Sequence, residues 1–245
     1  MEFTKERRDA PLGFFEAEAA GLRWLASAGG ARVVRVLGVE PGRIRLERIS
    51  ESGPSPEAAH RFGADLARTH DSGASRFGAR PDGYSGPLYI GRRSMPTNEA
   101  ASWGDFYVRA RVEPFLTATT PRVVRDACDL IARGAFDDDD EPPARIHGDL
   151  WNGNLLWSPD GAVLIDPAAH GGHRETDLAM LDLFGCAFLE QIIAGYESVH
   201  ALRAGWRGRI AVHQLHPLAV HALGHGAHYG VALESAARAI LALER

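Results

Sequence analysis

Cysteine is scarce: the chain of 245 residues has only Cys128 and Cys186. They lie far apart in apolar, helix-like surroundings, which excludes a disulfide framework and a cysteine-rich zinc site and fits a reducing, intracellular setting. Long apolar runs are missing too. No stretch of about 18 apolar residues occurs, so no membrane-spanning helix is expected. The opening segment MEFTKERRDA lacks the apolar centre of a secretory signal, and the reading is a cytoplasmic protein. Nor is there a block rich in lysine and arginine. With a net charge of −5 and a pI near 6.1, neither nucleic acid nor an anionic membrane is an expected partner. What is present, 45% hydrophobic and 24% charged residues, is the balance of a globular chain able to bury a sizeable core.

The periodicities give an outline. FFEAEAAGLRWLASA, Phe14 to Ala28, places Phe15, Leu22 and Leu25 on one helical face and stops at Gly29 and Gly30. RVVRVLGVE and RIRLERI, joined by Pro41 and Gly42, read as an antiparallel hairpin. The turn cluster SESGPSP then leads to Ser55, Pro56 and Glu57, a helix start with cap, proline and acid in order. The expected organisation is a small lobe over 1–49, a hinge over 50–56 and a larger, mostly helical lobe over 57–245. Within the large lobe, residues 72–98 read as a long irregular excursion, of the kind that is more often functional than accidental. Helices are expected over Glu99 to Leu116 and Pro121 to Phe136. The acidic run Asp137 to Asp140 reads as a solvated loop, since it lacks the spaced ligands of a calcium site. SPDG turns a hairpin between LLW and AVLID, and the pattern beyond Asp177 is helical almost to the end.

The chemistry concentrates in RIHGDLWNGN, Arg145 to Asn154. Asp149, Asn154 and the strand-end Asp166 follow the H-x-D-x-x-x-x-N and strand-Asp spacing that phosphoryl transfer to a hydroxyl uses. Magnesium takes hard oxygen donors and keeps several waters, so the Asn154 amide oxygen, the Asp166 carboxylate and nucleotide phosphates suffice to hold it. Asp149 is then the group that orients the incoming hydroxyl and receives its proton. An isolated Asp or Asn in a turn is ordinarily an Asx-turn or cap, and it is the complete set that points to a kinase. Lys5 and Glu18 taken alone read as a solvated ion pair. Their order before the hairpin and hinge matches a phosphate-binding lysine with its orienting helix glutamate.

HGDLWNGN is similar to the catalytic loop of the fructosamine kinases, or ketosamine-3-kinases, and Trp151 separates it from most aminoglycoside phosphotransferases. IDPAAHGGHRETDLAM resembles the same family's second signature. Further similar blocks are FFEAEAAGLRWLA, YIGRRSMPTN with WGDFYVRARVEPFL, and HQLHPLAVHALGHGAHYG. The resemblance, from Phe3 to about Gly230, implies a two-lobed α+β protein-kinase-like fold, related to aminoglycoside and choline phosphotransferases. It implies Asp149 as base, Asn154 and Asp166 as Mg2+ ligands, and Lys5 with Glu18 positioning ATP. It also implies an adenine hinge at Leu46 to Ile49, with Glu47, Arg48 and Ile49 as its nucleotide-side residues, and support of the catalytic loop by His147 and Asp177. The implied reaction is phosphorylation of the 3-hydroxyl of a ketosamine, free or on a glycated protein lysine, which makes the adduct unstable and reverses glycation. Trp151 is a candidate to stack on the substrate and Glu175 a candidate to face its amine. A monomer is expected.

Kinases of this kind place two strands and a phosphate-covering loop before the lysine strand. Against that pattern, on the order of 15–30 residues are missing upstream of Glu2: either the true start lies upstream of Met1, or the lobe lacks its phosphate cover. Lys5 is therefore expected on an edge strand, with weak ATP binding. The alternatives are a kinase for an aminoglycoside- or choline-like hydroxyl, and a weakly active or non-catalytic ketosamine-binding protein. His213, His216, His221, His225 and His228 raise a metal reading, because His221 and His225 have i, i+4 spacing; helix-face histidines interrupted at Pro217 are the simpler one.

Overall fold

The three short strands of the small lobe are built around two inward side chains. In the computed structural model, which describes residues 1–138 and 141–243, β1 (Glu2–Glu6) and β2 (Val36–Glu40) flank β3 (Arg43–Glu47), both antiparallel to it. Gly42 takes the turn at φ 76°, a conformation that costs glycine nothing. Ile44 and Leu46 of β3 are buried against Phe15, Leu22 and Leu25 of α1 (Phe14–Ala26). Lys5 lies opposite Ile44 on β1, at the edge of this sheet.

The chain turns from sheet to helix at residues 50–56, yet the core runs on beneath that point. Phe62 and Leu66 of α2 (Pro56–Asp71), Leu155 of β7 (Leu155–Ser158), Leu164 of β8 (Gly161–Leu164) and Ile192 of α6 (Leu189–Glu197) share one cluster with the small lobe. Val33 bridges Leu164 in parallel, with Val34 N donating to Leu164 O at 3.0 Å. The linker itself is tied by Ser52 N to Trp157 O at 2.8 Å. Ser55 caps α2, its hydroxyl accepting from Ala58 N at 3.2 Å. The α2–α6 crossing is close because Gly63 and Gly195 face backbone: a Cβ at either would collide with the Ile192 or His60 carbonyl.

A second core gathers Tyr107, Val112, Ile131, Leu215, Leu218 and Ile240. Its helices are α3 (Trp103–Phe106), α4 (Arg122–Ala132), α7 (Trp206–Ala222) and α8 (Ala227–Ala242). The helix expected from Glu99 starts only at Trp103, where Ser102 caps it, and then widens into a π turn over Tyr107–Val112. Pro217 does not interrupt α7. A proline there deprives the His213 carbonyl of its helical donor, and the Tyr107 hydroxyl supplies one at 2.8 Å while accepting from His216 N at 3.0 Å. The excursion over 72–98 contains a hairpin of three-residue strands, β4 (Leu88–Ile90) and β5 (Arg93–Met95). Asp139 and Asp140 of the acidic run lie outside the described residues; Asp137 accepts from Gly104 N at 2.7 Å and Asp138 meets Arg203 at 3.2 Å. No helix among the described residues is long and apolar enough to cross a membrane.

Candidate active site

The loop after β6 (Ala144–Ile146), which pairs with β9 (His170–Gly172), is shaped by one buried carboxylate. Asp177, on α5 (Arg174–Leu183), is fully buried and accepts from His147 N at 2.7 Å, Gly148 N at 2.9 Å and the His70 ring at 3.1 Å. Burial works against its charge, but these donors and the nearby imidazoles hold the carboxyl below its ordinary range. Behind it, Arg174 donates to the Tyr196 hydroxyl at 3.0 Å, which donates to His70 Nδ1 at 2.8 Å. This assigns the His70 proton to Nε2, facing Asp177. Gly148 has φ 79°, and a Cβ there would strike the Ala168 carbonyl. His147 spans the loop, its Nε2 donating to Ile165 O at 2.8 Å and its Nδ1 accepting from Asp149 N at 3.2 Å.

Asp149 emerges half-buried from this frame. Burial, reinforced by the charges of Asp166 and Asp177 against a hydrogen bond from Asn154, pushes its carboxyl up to about 7. Asn154 Nδ2 donates to the Asp149 carbonyl at 2.7 Å and to its carboxylate at 3.1 Å. The Asn154 amide oxygen therefore stays available among the described residues, and Nδ2 stands 3.4 Å from the carbonyl of Asp166, two residues beyond β8. Asp166 has φ 54°, in the left-handed region that Asp enters more readily than most residues. These are hard oxygen donors on neighbouring positions, the set a magnesium ion would use. Lys5 Nζ donates to Glu18 at 2.8 Å and also to Asp166 Oδ1. Burial would lower the ammonium's pKa, but the two carboxylates outweigh it and raise it. Lys5 is the only lysine among the 27 lysines and arginines of the chain, a signal in the sequence that spacing alone does not register.

Three cavities form one continuous cleft. The innermost, about 250 Å³, lies between Phe3, Val34 and Leu46 on one side and Leu156 and Ile165 on the other, with Glu47, Arg48 and Ile49 at its edge. It shares Lys5 and Asp166 with the middle cavity of about 400 Å³, which also holds Glu18, Asn154 and Asp149. Asp149, Trp151 and Gly91 are shared in turn with the outer cavity of about 550 Å³. Of the hinge residues, Glu47 and Arg48 donate their backbone N–H groups to the Arg35 and Met1 carbonyls at 2.9 and 3.1 Å; the Ile49 N–H has no such bond among the described residues. Trp151 is 41% exposed, its ring meeting Phe184 edge-on.

Glu175 does not face the cleft. It is 3% exposed, held by Arg209 at 2.6 and 3.1 Å and by His213 Nε2 at 3.3 Å. Burial opposes its charge, but the hydrogen bonds from His213 and Arg209 prevail and hold the carboxyl down at about 2. Because the folded value lies below the ordinary 4.5, its stabilisation is complete above that pH and is lost as pH falls toward the folded value. In full the contribution is about 3 kcal/mol, of which about 2 kcal/mol is lost between pH 7 and pH 3. Urea unfolding at pH 7 and pH 3 should therefore show a stability loss that shrinks by about that amount in Glu175→Gln; an unchanged slope would refute the assignment. His173, Glu175 and His213 also form the one potential metal-ligand trio among the described residues, but Arg209 covers both oxygens of the Glu175 carboxylate. The His221 and His225 rings are 4.8 Å apart beside the outer cavity and form no such group of three among the described residues.

The fructosamine kinase family model matches residues 2–243. The chain belongs to the fructosamine kinase family. A probable ketoamine kinase of Enterococcus faecium is 32% identical over 238 residues, covering 93% of this chain and 83% of that protein. A Thermobifida fusca crystal structure, described provisionally as a fructosamine-3-kinase, is 45% identical with a TM-score of 0.90, over 98% of this chain and 85% of that one. A choline kinase of Streptococcus pneumoniae, 19% identical with a TM-score of 0.64 over 98% of this chain and 86% of its own, shares the fold. The fold is thus the two-lobed kinase-like α+β fold, and family membership makes the chain a phosphotransferase with an alcohol group as acceptor.

Proposed function

We propose that the chain transfers the γ-phosphate of ATP to the 3-hydroxyl of a ketosamine, the adduct of a sugar with an amine. The observation that carries this reading is the order of the cleft: an apolar slot beside residues 47–49, then Lys5 and the oxygen donors, then a roomy outer cavity, with Asp149 on the boundary of the last two. Residues 1–49 then serve the nucleotide, 50–56 link, and 57–245 supply catalysis and the acceptor site.

The adenine fits the slot between Val34, Leu46 and Ile165, and the Ile49 N–H, without a partner among the described residues, is a backbone donor at its edge. Lys5, oriented by Glu18, meets the phosphates. Asn154 and Asp166 would hold magnesium, which when bound neutralises charge on the transferring group. Asp149 accepts the hydrogen bond of the acceptor hydroxyl, fixes its line of attack and takes its proton as the new O–P bond forms and the bond from the γ-phosphorus to the bridging oxygen breaks, releasing ADP. A carboxyl near neutrality is suited to that exchange. Trp151, exposed at the same boundary, is placed to stack on the sugar or its stem.

An ATP-dependent assay on fructosyl amines, with choline and an aminoglycoside alongside, tests the reading. The expected result is 3-phosphorylation of the ketosamine with release of free amine as the product decays, and at least about a hundredfold lower kcat/KM for the other two, a gap of roughly 2.7 kcal/mol in transition-state binding. Preference for choline or the aminoglycoside would overturn the ketosamine assignment.

A further inference from the structure

The outer cavity has an apolar wall of Trp151, Met180, Pro217 and Val220, and its formally charged groups are Arg92, Arg93 and Asp149. The β4–β5 hairpin brings the two arginines there, turning at Gly91 with φ 52°. Arg93 lies against the α7–α8 turn, where a Cβ at Gly224 would come within 3.0 Å of its Nη2. Arginines elsewhere on the surface, such as Arg43, Arg68 and Arg207, have carboxylate partners at 2.7, 2.6 and 2.7 Å. The Arg92 and Arg93 side chains have neither an ion pair nor a hydrogen bond among the described residues, and Arg92 exerts only a longer-range pull on Asp9. At the rim, His221 Nδ1 donates to Pro217 O at 2.8 Å, which leaves Nε2 to accept from a hydroxyl.

A site built for a cationic amine alone would present carboxylates. The single carboxylate here, Asp149, is committed to the reacting hydroxyl in the reading above. Two unpaired guanidinium groups instead favour a planar or tetrahedral anion, which they can bind through several parallel hydrogen bonds. Resting on the ketosamine reading, we infer that the preferred acceptor is an anionic ketosamine, whose carboxylate or phosphate, a few bonds from the reacting hydroxyl, is received by Arg92 and Arg93. A carboxylate would come from the amino acid of a free adduct and a phosphate from the sugar; an ordinary fructosyl group on a protein lysine side chain carries neither.

Two matched pairs test this: fructosyl-glycine against fructosyl-glycinamide, and a fructosyl alkylamine that carries no carboxylate, with and without a 6-phosphate. In at least one pair the anionic member should have the higher kcat/KM by about ten-fold or more. The carboxylate pair responding locates the arginines on the amine side, the phosphate pair on the sugar side. That ratio should fall toward one in the R92Q/R93Q variant and persist in R92K/R93K, with thermal melts verifying that both fold. Equal kcat/KM within both pairs, or a ratio that survives R92Q/R93Q, overturns the inference while leaving ketosamine phosphorylation standing. Turnover of choline or the aminoglycoside with no ketosamine turned over removes both.

Discussion

Asp149→Asn should lower kcat by about 10²–10⁴-fold, the range that positioned proton transfer supplies, while nucleotide affinity changes little. The amide preserves the size of the side chain and can still accept from Asn154, whose Nδ2 stands 3.1 Å from the carboxylate. It cannot take the proton of the incoming hydroxyl. Single-turnover kinetics with saturating ATP, together with titration of a fluorescent ATP analogue, separate the two quantities. Activity within a few-fold of the parent chain would remove Asp149 from the mechanism. A parallel loss of nucleotide affinity would instead place it among the groups that hold ATP.

The largest stability effect is expected from Asp177→Ala. This carboxylate is fully buried and takes hydrogen bonds from the His147 and Gly148 backbones and from His70. Removing it strands three buried donors at once, and losses of this kind run to about 3–5 kcal/mol. For a chain of this size each kcal/mol shifts the melting temperature by about 2–4 °C, so calorimetry should record a fall on the order of 10 °C. Asp177→Asn should cost less, because its amide oxygen still accepts from part of the set. If the alanine variant melts within about 2 °C of the parent, the carboxylate is not the brace of the catalytic loop.

The features that were legible in the sequence are those whose physics is local. Ser55 with Pro56 announces α2 because a cap and its first turn span only a few residues. Asp160 and Gly161 announce the β7–β8 turn for the same reason. The set of Asp149, Asn154 and Asp166 is likewise readable, since one loop and the following hairpin hold all its members. What was not legible depends on partners far along the chain. Glu175 looks available until Arg209, on α7, covers its carboxylate. Pro217 looks like a helix break until the Tyr107 hydroxyl satisfies the carbonyl it orphans. His70 and Tyr196 have no motif, and they are tied to the catalytic loop only through folding of α2 and α6 against α5. Arg92 and Arg93 sit in a stretch that reads as irregular because strands of three residues are too short to display an alternation.

The single lysine has a chemical consequence of its own. An amine condenses with a sugar carbonyl through its neutral form, so a lysine becomes reactive when its surroundings lower its pKa. Lys5 is held the other way, raised by Glu18 and Asp166 and only 23% exposed at its side chain. Among its side chains, then, a protein proposed to repair sugar-modified amines presents one lysine amine, and that one is kept protonated inside the cleft.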